Sequence, residues 1–303
     1  MQTSTRKAYL QMHFCILLWG FTAILGKLIT LNEGLLVWYR MFFSGVSTLL
    51  FLFAIKKFKL LSLNDTLRIC GVGVIVALHW VTFYGAIKAS NVSIAISCFS
   101  SIALFTAIID SAWHRKFPRK EEVLLSISVM LGVYIIFTFQ QFYFKGIALS
   151  LCSAFLGALF SVLNKQLLDK HDGGVITFYE LSSGFVFLTL LLPIYLQLTG
   201  TEFQWPDKSN LIYLLILSVA CTTLPFTLSL YALKKLDAFT MSLSVNLEPL
   251  YSILLAILLF HEDKMLNTGF YIGSLIIILS VVMHGVYRYR KAKKNAQQNL
   301  LSV

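Results

Sequence analysis

Residues 34–59 read GLLVWYRMFFSGVSTLLFLFAIKKFK, and this stretch decides the fold class. It runs through apolar and small residues with Arg40 as its one charged group, and then reaches Lys56, Lys57 and Lys59. A helix of about 20 apolar residues crosses the ~30 Å hydrocarbon core of a bilayer. Short loops rich in Lys and Arg stay on the cytoplasmic side. The stretch therefore predicts a transmembrane helix that ends inside the cell.

The same pattern recurs along all 303 residues, of which 57% are apolar and 13% charged. In lipid, only helices and closed barrels satisfy the backbone, and runs of this length without strict alternation exclude a barrel. The sequence predicts an all-α polytopic membrane protein with ten transmembrane helices. We number them as spans one to ten, at residues 8–30, 34–55, 67–87, 91–112, 122–140, 146–168, 174–197, 210–233, 238–260 and 266–287.

Basic residues orient the chain. Nineteen of the 25 Lys and Arg residues fall before span one, in every second gap between spans or at the span edges beside these gaps, or after span ten. By the positive-inside rule both termini are cytoplasmic, and we expect a multi-pass protein of the plasma (inner) membrane. The net charge of +11 is then explained by cytoplasmic loops that face anionic lipid, so no nucleic-acid partner is expected. Residues 288–303 are predicted to be a frayed, basic cytoplasmic tail.

The two halves of the chain are alike. Trp19-Gly20 stands 138 residues before Gly157-Ala158, and the stretch 85–88 stands 146 residues before 231–234. We therefore predict two repeats, 8–140 and 146–287, with five spans each. An odd number of spans inverts the second repeat relative to the first. Inverted repeats are a transporter architecture with a site near the membrane midplane, and we expect a cavity among spans one, three, four, six, eight and nine.

Several short motifs carry a family resemblance across essentially the whole chain. They are Trp19-Gly20-Phe21 with Lys27, Arg40, the stretch 83–87 (FYGAI), and the stretch 246–250 (NLEPL) through Phe260-His261-Glu262. In this order and spacing they resemble the EamA-like family of the drug/metabolite transporter superfamily. Span four departs from the pattern, with Ala103 where span nine has Pro249 and Arg115-Lys116 where it has His261-Glu262. The resemblance implies a secondary carrier of small metabolites, often an exporter of amino acids or their derivatives.

Catalytic and cofactor motifs are absent from the sequence: it has no glycine-rich phosphate loop, no nucleophile elbow and no metal-ligand spacing. We therefore expect no enzyme, no cofactor, no catalytic residue and no metal site, and a gradient rather than ATP as the energy source. The expected partners are a small-molecule substrate, the bilayer and protons. A flippase for lipid or lipid-linked headgroups is the alternative function. It would need a laterally open groove with a basic pocket.

Charged residues inside spans are costly, at least about 2.5–3.5 kcal/mol at a helix centre, so each needs a reason. Glu248 lies near the midplane, and Pro249 after it lacks an N–H and favours a kink. Glu248 is either a coupling group for protons or a buried structural carboxyl. Arg40 and Glu180 occupy matching places in the two repeats. They either attract the two charges of a zwitterion at opposite ends of a cavity, or each braces a gate through a local partner.

The remaining candidates are uncharged or aromatic. His79 in mid-membrane is either a proton carrier or a core histidine bonded to a carbonyl. Trp19, Trp80 and Tyr84 lie deep enough to form a cavity wall, and Asn246 lies two residues from Glu248. The predicted substrate-binding or coupling residues are thus Glu248, Asn246, His79, Trp80, Tyr84, Trp19, Arg40 and Glu180. Hydroxyl stripes in spans four and nine predict close helix packing, and Gly269/Gly273 predicts either internal packing or a homodimer contact.

Overall fold

The computed structural model describes residues 2–90, 92–137, 143–248, 250–252, 255 and 268–301. Within these ranges every regular element is helical and there is no strand, which confirms an all-helical chain. Six helices of the described part are long and apolar enough to cross a membrane, and they are Thr5–Leu28, Glu33–Ala54, Leu63–Ala89, Phe144–Leu167, Gly173–Thr199 and Lys208–Leu233.

The helices follow the predicted spans in order. Spans one to five correspond to α1 (Gln2–Leu28), α2 (Glu33–Ala54), α3 (Leu63–Ala89), the pair α4 (Val92–Phe99) and α5 (Ile102–Trp113), and α6 (Lys120–Phe137). Spans six and seven are α7 (Phe144–Leu167) and α8 (Gly173–Thr199). Span eight comprises α9 (Lys208–Ser218), a π-helical turn (Val219–Thr223) and α10 (Leu224–Leu233). Span nine begins with α11 (Ala238–Val245), and span ten is α12 (Thr268–Leu301).

Polar side chains fix where several helices begin. Asn32, Asp172, Asp207 and Asp237 precede α2, α8, α9 and α11, and each accepts a backbone N–H from the first turn of its helix. Capping of this kind satisfies donors that have no partner within the helix. The short connections between spans thus set the helix boundaries directly.

Spans four and nine are both interrupted. Helix α4 ends at Phe99 and α11 ends at Val245, 146 residues apart, which is the spacing that relates the two halves in sequence. In span four the hydroxyls of Ser100 and Ser101 bond back to the carbonyls of Ile96 and Cys98, a pattern that bends helices. In span nine the break precedes Pro249, whose own placement and predicted kink lie outside the described residues. Because proline lacks an N–H, the carbonyl four residues earlier has no helical donor.

Spans eight and ten also differ from what the sequence predicts. Span eight contains the π-helical turn Val219–Thr223, where the helix widens by one residue per turn. Span ten continues as one helix to Leu301, so the prediction of a frayed tail is wrong for residues 288–301. The tail is rich in Lys, Ala and Gln, which are strong helix formers, and no proline or glycine interrupts it.

The most extensive helix contacts join the two halves. Span three packs along span six, span one along span eight, span two along span seven, span five along span ten, and span four meets span nine. Span one corresponds to span six, span two to span seven, and so on through spans five and ten. When every span is replaced by its counterpart, the same set of pairs results. The contacts therefore have the symmetry expected of two related halves that pack face to face.

Small residues permit these approaches. A Cβ added at Gly132 in span five would lie 2.9 Å from the carbonyl oxygen of Gly273 in span ten. The Gly269/Gly273 pair thus includes an internal packing position. The hydroxyl of Thr106 donates to that of Ser242 at 2.8 Å, which joins the hydroxyl stripes of spans four and nine. Close contact through small and hydroxyl side chains is usual between membrane helices.

Candidate functional site

A cavity of about 120 Å³ lies among spans one, three, four, six, eight and nine, and Arg40 adds span two. Its wall is largely aromatic, with Trp19, Trp80, Phe83, Phe99, Phe160 and Phe226. Its polar groups are Thr22, Arg40, His79, Ser161, Asn164, Ser229, Ser242 and Glu248. An apolar wall with a few polar groups is the usual lining of a small-molecule site. We refer to this space as the central cavity.

Arg40 is held rigidly at the edge of the central cavity and is 4% exposed. Its Nε donates to the hydroxyl of Thr222 at 2.8 Å, and its Nη1 donates to the hydroxyl of Tyr84 at 2.9 Å. The guanidinium carbon lies 3.9 Å from the centre of the Trp80 ring, which is cation–π distance. Guanidinium has five N–H donors, so donors remain for a ligand in the cavity.

The position of Arg40 depends on the π-helical turn in span eight. Thr222 lies inside this turn, and its hydroxyl donates to the carbonyl of Leu217, five residues earlier. The hydroxyl of Ser44, one turn after Arg40, donates to the carbonyl of Ser218. The π-helical turn therefore offers the Thr222 hydroxyl and the Ser218 carbonyl as hydrogen-bond acceptors to span two. In a regular α-helix the backbone carbonyl would be occupied by the helix's own N–H groups.

Glu248 lines the same cavity and is 7% exposed. It follows the break in span nine, where the N–H groups of Asn246 and Leu247 bond to carbonyls three residues back. Glu248 and Arg40 act on each other electrostatically. Among the described residues, no ion pair joins them and the Glu248 carboxyl accepts no hydrogen bond. A guanidinium and a carboxyl thus line one cavity without a direct ion pair between them in the described part of the chain.

His79 is fixed by one ring nitrogen. Its Nδ1 lies 2.8 Å from the carbonyl oxygen of Ser153, and because a carbonyl only accepts, Nδ1 carries the proton. The ring packs against Phe83, Phe99 and Phe160. This arrangement is the one expected of a core histidine, while the ring as a whole still lines the cavity.

The eight predicted site residues separate into three groups. Glu248, His79, Trp80, Trp19 and Arg40 line the central cavity. Tyr84 does not line the cavity, although it was expected to form its wall together with Trp19 and Trp80. Its hydroxyl instead accepts a hydrogen bond from Arg40. The third group, Asn246 and Glu180, is described next.

Asn246 and Glu180 are buried outside the cavity lining. The expectation that Arg40 and Glu180 stand at two ends of one cavity is therefore not met. The reason is the close approach of α3 and α8, since a Cβ at Gly73 would lie 2.4 Å from the Glu180 carbonyl oxygen. This contact places the α8 backbone at Glu180 against span three, and the Glu180 side chain is buried without lining the cavity.

Sequence reasoning missed several lining residues. Asn164, in span six, was identifiable as an amide inside an apolar run, a position that has a desolvation cost. Sequence reasoning also missed Thr222, which does not line the cavity but accepts the bond from Arg40 Nε, because a π-helical turn has no simple sequence signature. Phe99, Phe160 and Phe226 were indistinguishable from the other phenylalanines of a chain that is 14% aromatic.

Comparison with known proteins places the chain in a class of membrane transporters. The model of the EamA-like transporter family matches residues 6–138 and 144–285. The chain belongs to this family, which confirms the resemblance found in its motifs. The two matched stretches coincide closely with the two halves related by the 138- to 146-residue offsets.

Individual relatives agree with this assignment. An uncharacterized transporter of Archaeoglobus fulgidus is 26% identical over 223 residues, covering 72% of this chain and 74% of its own. An uncharacterized transporter of Clostridium kluyveri is 27% identical over 247 residues, covering 76% and 75%. A crystal structure with 14% identity superposes with a TM-score of 0.75 over 94% of this chain and 98% of its own. That likeness shows a shared fold.

Proposed function

We propose that the protein is a secondary active transporter that exports small amphipathic metabolites, with amino acids or their derivatives as the substrate class. The observation that carries this proposal is that the Arg40 guanidinium and the Glu248 carboxyl line one cavity. Arg40 presents spare N–H donors, and Glu248 presents a carboxyl without a partner among the described residues. A zwitterion would place its carboxylate at Arg40 and its ammonium at Glu248, so that each buried charge gains an opposite charge.

The rest of the cavity suits the apolar part of such a substrate. Phe99, Phe160 and Phe226 line it together with Ile102 and Leu230. Burial of apolar ligand surface against these side chains contributes roughly 25 cal/mol per Å² before the costs of binding are subtracted. A ligand with two charges at one end and an apolar group at the other matches this distribution.

The position of the cavity between the two membrane faces supports the proposed outward direction. If the basic loops are cytoplasmic, Asn164, Leu233 and Met241 lie toward the cytoplasmic helix ends, and the cavity extends toward them. On the other side, Asn210 of span eight bonds to the N–H and the hydroxyl of Thr30, both at 2.9 Å. We call this pair of bonds the outer tether. A cavity that reaches toward the cytoplasm and is tethered outside is arranged for loading from within.

Alternating access follows from the proposed inverted repeats, residues 8–140 and 146–287, with both termini cytoplasmic in the inner membrane. The equal placement of the breaks after Phe99 and Val245 supports the repeat. Both residues line the cavity, so each repeat brings its interrupted helix to the substrate space. Rocking of the two halves about this space would open it to either side in turn.

The first test identifies the substrate. We expect that a strain which overproduces the protein accumulates one or a few zwitterionic metabolites in its medium, and that a deletion strain retains them. The purified protein in liposomes should then exchange the same compounds. Arg40→Gln should abolish the exchange, and Lys145→Gln, which removes a cation at the start of span six, should retain it. Movement of fluorescent lipids between leaflets, without metabolite exchange, would instead indicate the flippase.

Proton coupling through Glu248 has a separate test. Replacement of Glu248 by Gln keeps the size of the side chain and removes its ionisable group. If Glu248 takes part in coupling, the variant should lose the pH dependence of transport that the wild type shows. Transport with an unchanged pH profile in Glu248→Gln would exclude this role.

A further inference from the structure

Glu180 and Asn164 are two buried polar side chains for which the described part of the chain offers no hydrogen-bond partner. Both are 0% exposed. The Asn164 amide is the neighbouring polar group of the Glu180 carboxyl, but the two side chains are not oriented to form a hydrogen bond with each other. Both oxygens of Glu180 and both polar atoms of the Asn164 amide are unsatisfied among the described residues. Four such atoms in one place are unusual, because a buried polar atom without a partner costs about 1–3 kcal/mol.

The hydrogen-bonding capacities of the two groups favour the neutral acid. A carboxylate only accepts, so it could take a bond from Asn164 Nδ2 but would leave Oδ1 without a donor. A carboxylic acid adds one O–H donor. It can donate to Asn164 Oδ1 while its other oxygen accepts from Nδ2, and a small rotation of the two side chains would then satisfy all four atoms. One proton therefore completes this pair.

We propose that Asn164, in the wall of the central cavity, and Glu180, behind it, form a proton-binding site that couples proton movement to transport. Glu180 takes a proton from hydronium in the cavity, which releases water, and the acid pairs with Asn164. When the proton returns to water, the carboxylate keeps the bond from Nδ2 and repels Oδ1. The amide then turns its oxygen toward the cavity.

Asn164 links this site to the substrate. It lines the central cavity, whereas Glu180 lies behind it in α8. The protonation state of Glu180 therefore sets which end of the Asn164 amide faces the cavity. The Glu180 carboxyl itself does not enter the cavity and does not compete for the substrate. This inference rests on the proposed transport function and adds to it the position of a coupling proton that is distinct from Glu248.

No ionisable side chain of the described residues bonds to the Glu180 carboxyl. Helix α8 packs against α3, α2 and α10. Among the described residues, no hydrogen bond or ion pair joins the Glu180 carboxyl to the titratable side chains of these helices, or to Lys165 beside Asn164. The titratable side chains of these packed helices include Arg40, Cys70, His79 and Tyr231. Asn164 is thus the group that distinguishes the two protonation states.

The proton site can be tested without a known substrate. Infrared difference spectra of the purified full-length protein, recorded across a pH titration, report the C=O stretch of protonated carboxyl groups. We expect one band that Glu180→Gln removes, that Asn164→Leu shifts, and that Glu248→Gln leaves in place. A spectrum in which Glu180→Gln removes no band, or in which Asn164→Leu shifts none, would overturn the site. Glu180→Asp, which keeps the acid and shortens its reach, should retain a shifted band and serves if Glu180→Gln fails to fold.

Coupling requires a second measurement once a substrate is in hand. One pH unit supplies 1.36 kcal/mol, so exchange of one proton per substrate drives at most about tenfold accumulation. We expect wild type and Glu202→Gln, a change at an exposed loop carboxyl, to accumulate substrate, and Glu180→Gln to show none beyond equilibration. Full accumulation by Glu180→Gln would refute the coupling role. Absence of transport in wild type would refute the proposed function and leave the infrared result standing.

Discussion

Gly73 and Gly71 lie two residues apart on α3 and offer a matched test of the contact between spans three and seven. A Cβ at Gly73 would lie 2.1 Å from Ser183 Oγ, 2.4 Å from the Glu180 carbonyl oxygen and 2.8 Å from the Glu180 Cα. A Cβ at Gly71 would meet nothing within 4 Å. Two of the three atoms near Gly73 are backbone, so rotation of a side chain cannot relieve the clash. Gly73→Ala must instead push α8 away from α3.

The expected effect is large enough to measure. Overpacking of a well-packed core costs typically about 1–3 kcal/mol, and both alanines gain a similar ~1 kcal/mol of helix propensity. The difference between the variants therefore isolates the clash. At about 2–4 °C per kcal/mol, Gly73→Ala should melt roughly 2–12 °C below Gly71→Ala. Thermal unfolding of the detergent-solubilised proteins measures this difference. Equal melting temperatures would show that the two helices are not in contact at Gly73.

Three further substitutions test the site and its surroundings. In Arg40→Lys, a single ammonium cannot reproduce the bonds to Thr222 and Tyr84 together. The loss of one charged hydrogen bond, about 1.5–3 kcal/mol, should slow exchange in liposomes roughly ten- to 150-fold. An unchanged rate would contradict the role of Arg40. Asn210→Leu removes the two hydrogen bonds of the outer tether, which together contribute about 1–3 kcal/mol. A cysteine introduced at Thr22 should then be labelled faster from the outside. Slower or equal labelling would count against the tether. Gly132→Leu should lower the melting temperature by separating spans five and ten, and a more stable variant would refute that contact.

The sequence predicted the all-helical fold and the order of the helices because the signals for single helices are local. Ten apolar runs, their basic flanks and the two-half pattern are visible in the order of residues alone. Arg40 was identifiable for the same reason, since a charge in an apolar run needs a partner. The structure adds what the partner groups are, namely the Thr222 hydroxyl, the Tyr84 hydroxyl and the Trp80 ring.

Features that depend on packing between distant segments were not predictable. The matching sequence positions of Arg40 and Glu180 suggested equal roles, yet Gly73 draws α8 against α3 and takes Glu180 out of the cavity. The break in span four is likewise not marked by proline. The adjacent Ser100 and Ser101 accompany it, with their hydroxyls bonded to the carbonyls of Ile96 and Cys98. Ser126 and Ser280 make similar bonds inside helices that continue unbroken, so serine alone does not mark a break.

The pairing of spans across the two halves has a consequence for how the chain is made. Spans one, two, three and five each have their main partner among the last five spans. During synthesis the first half enters the membrane before those partners exist, and its small-residue faces, Gly73 and Gly132 among them, then face lipid. The first half is therefore not an independent folding unit. Its helices would settle only when span ten has been inserted, so a chain truncated before that point should be a substrate for membrane proteases.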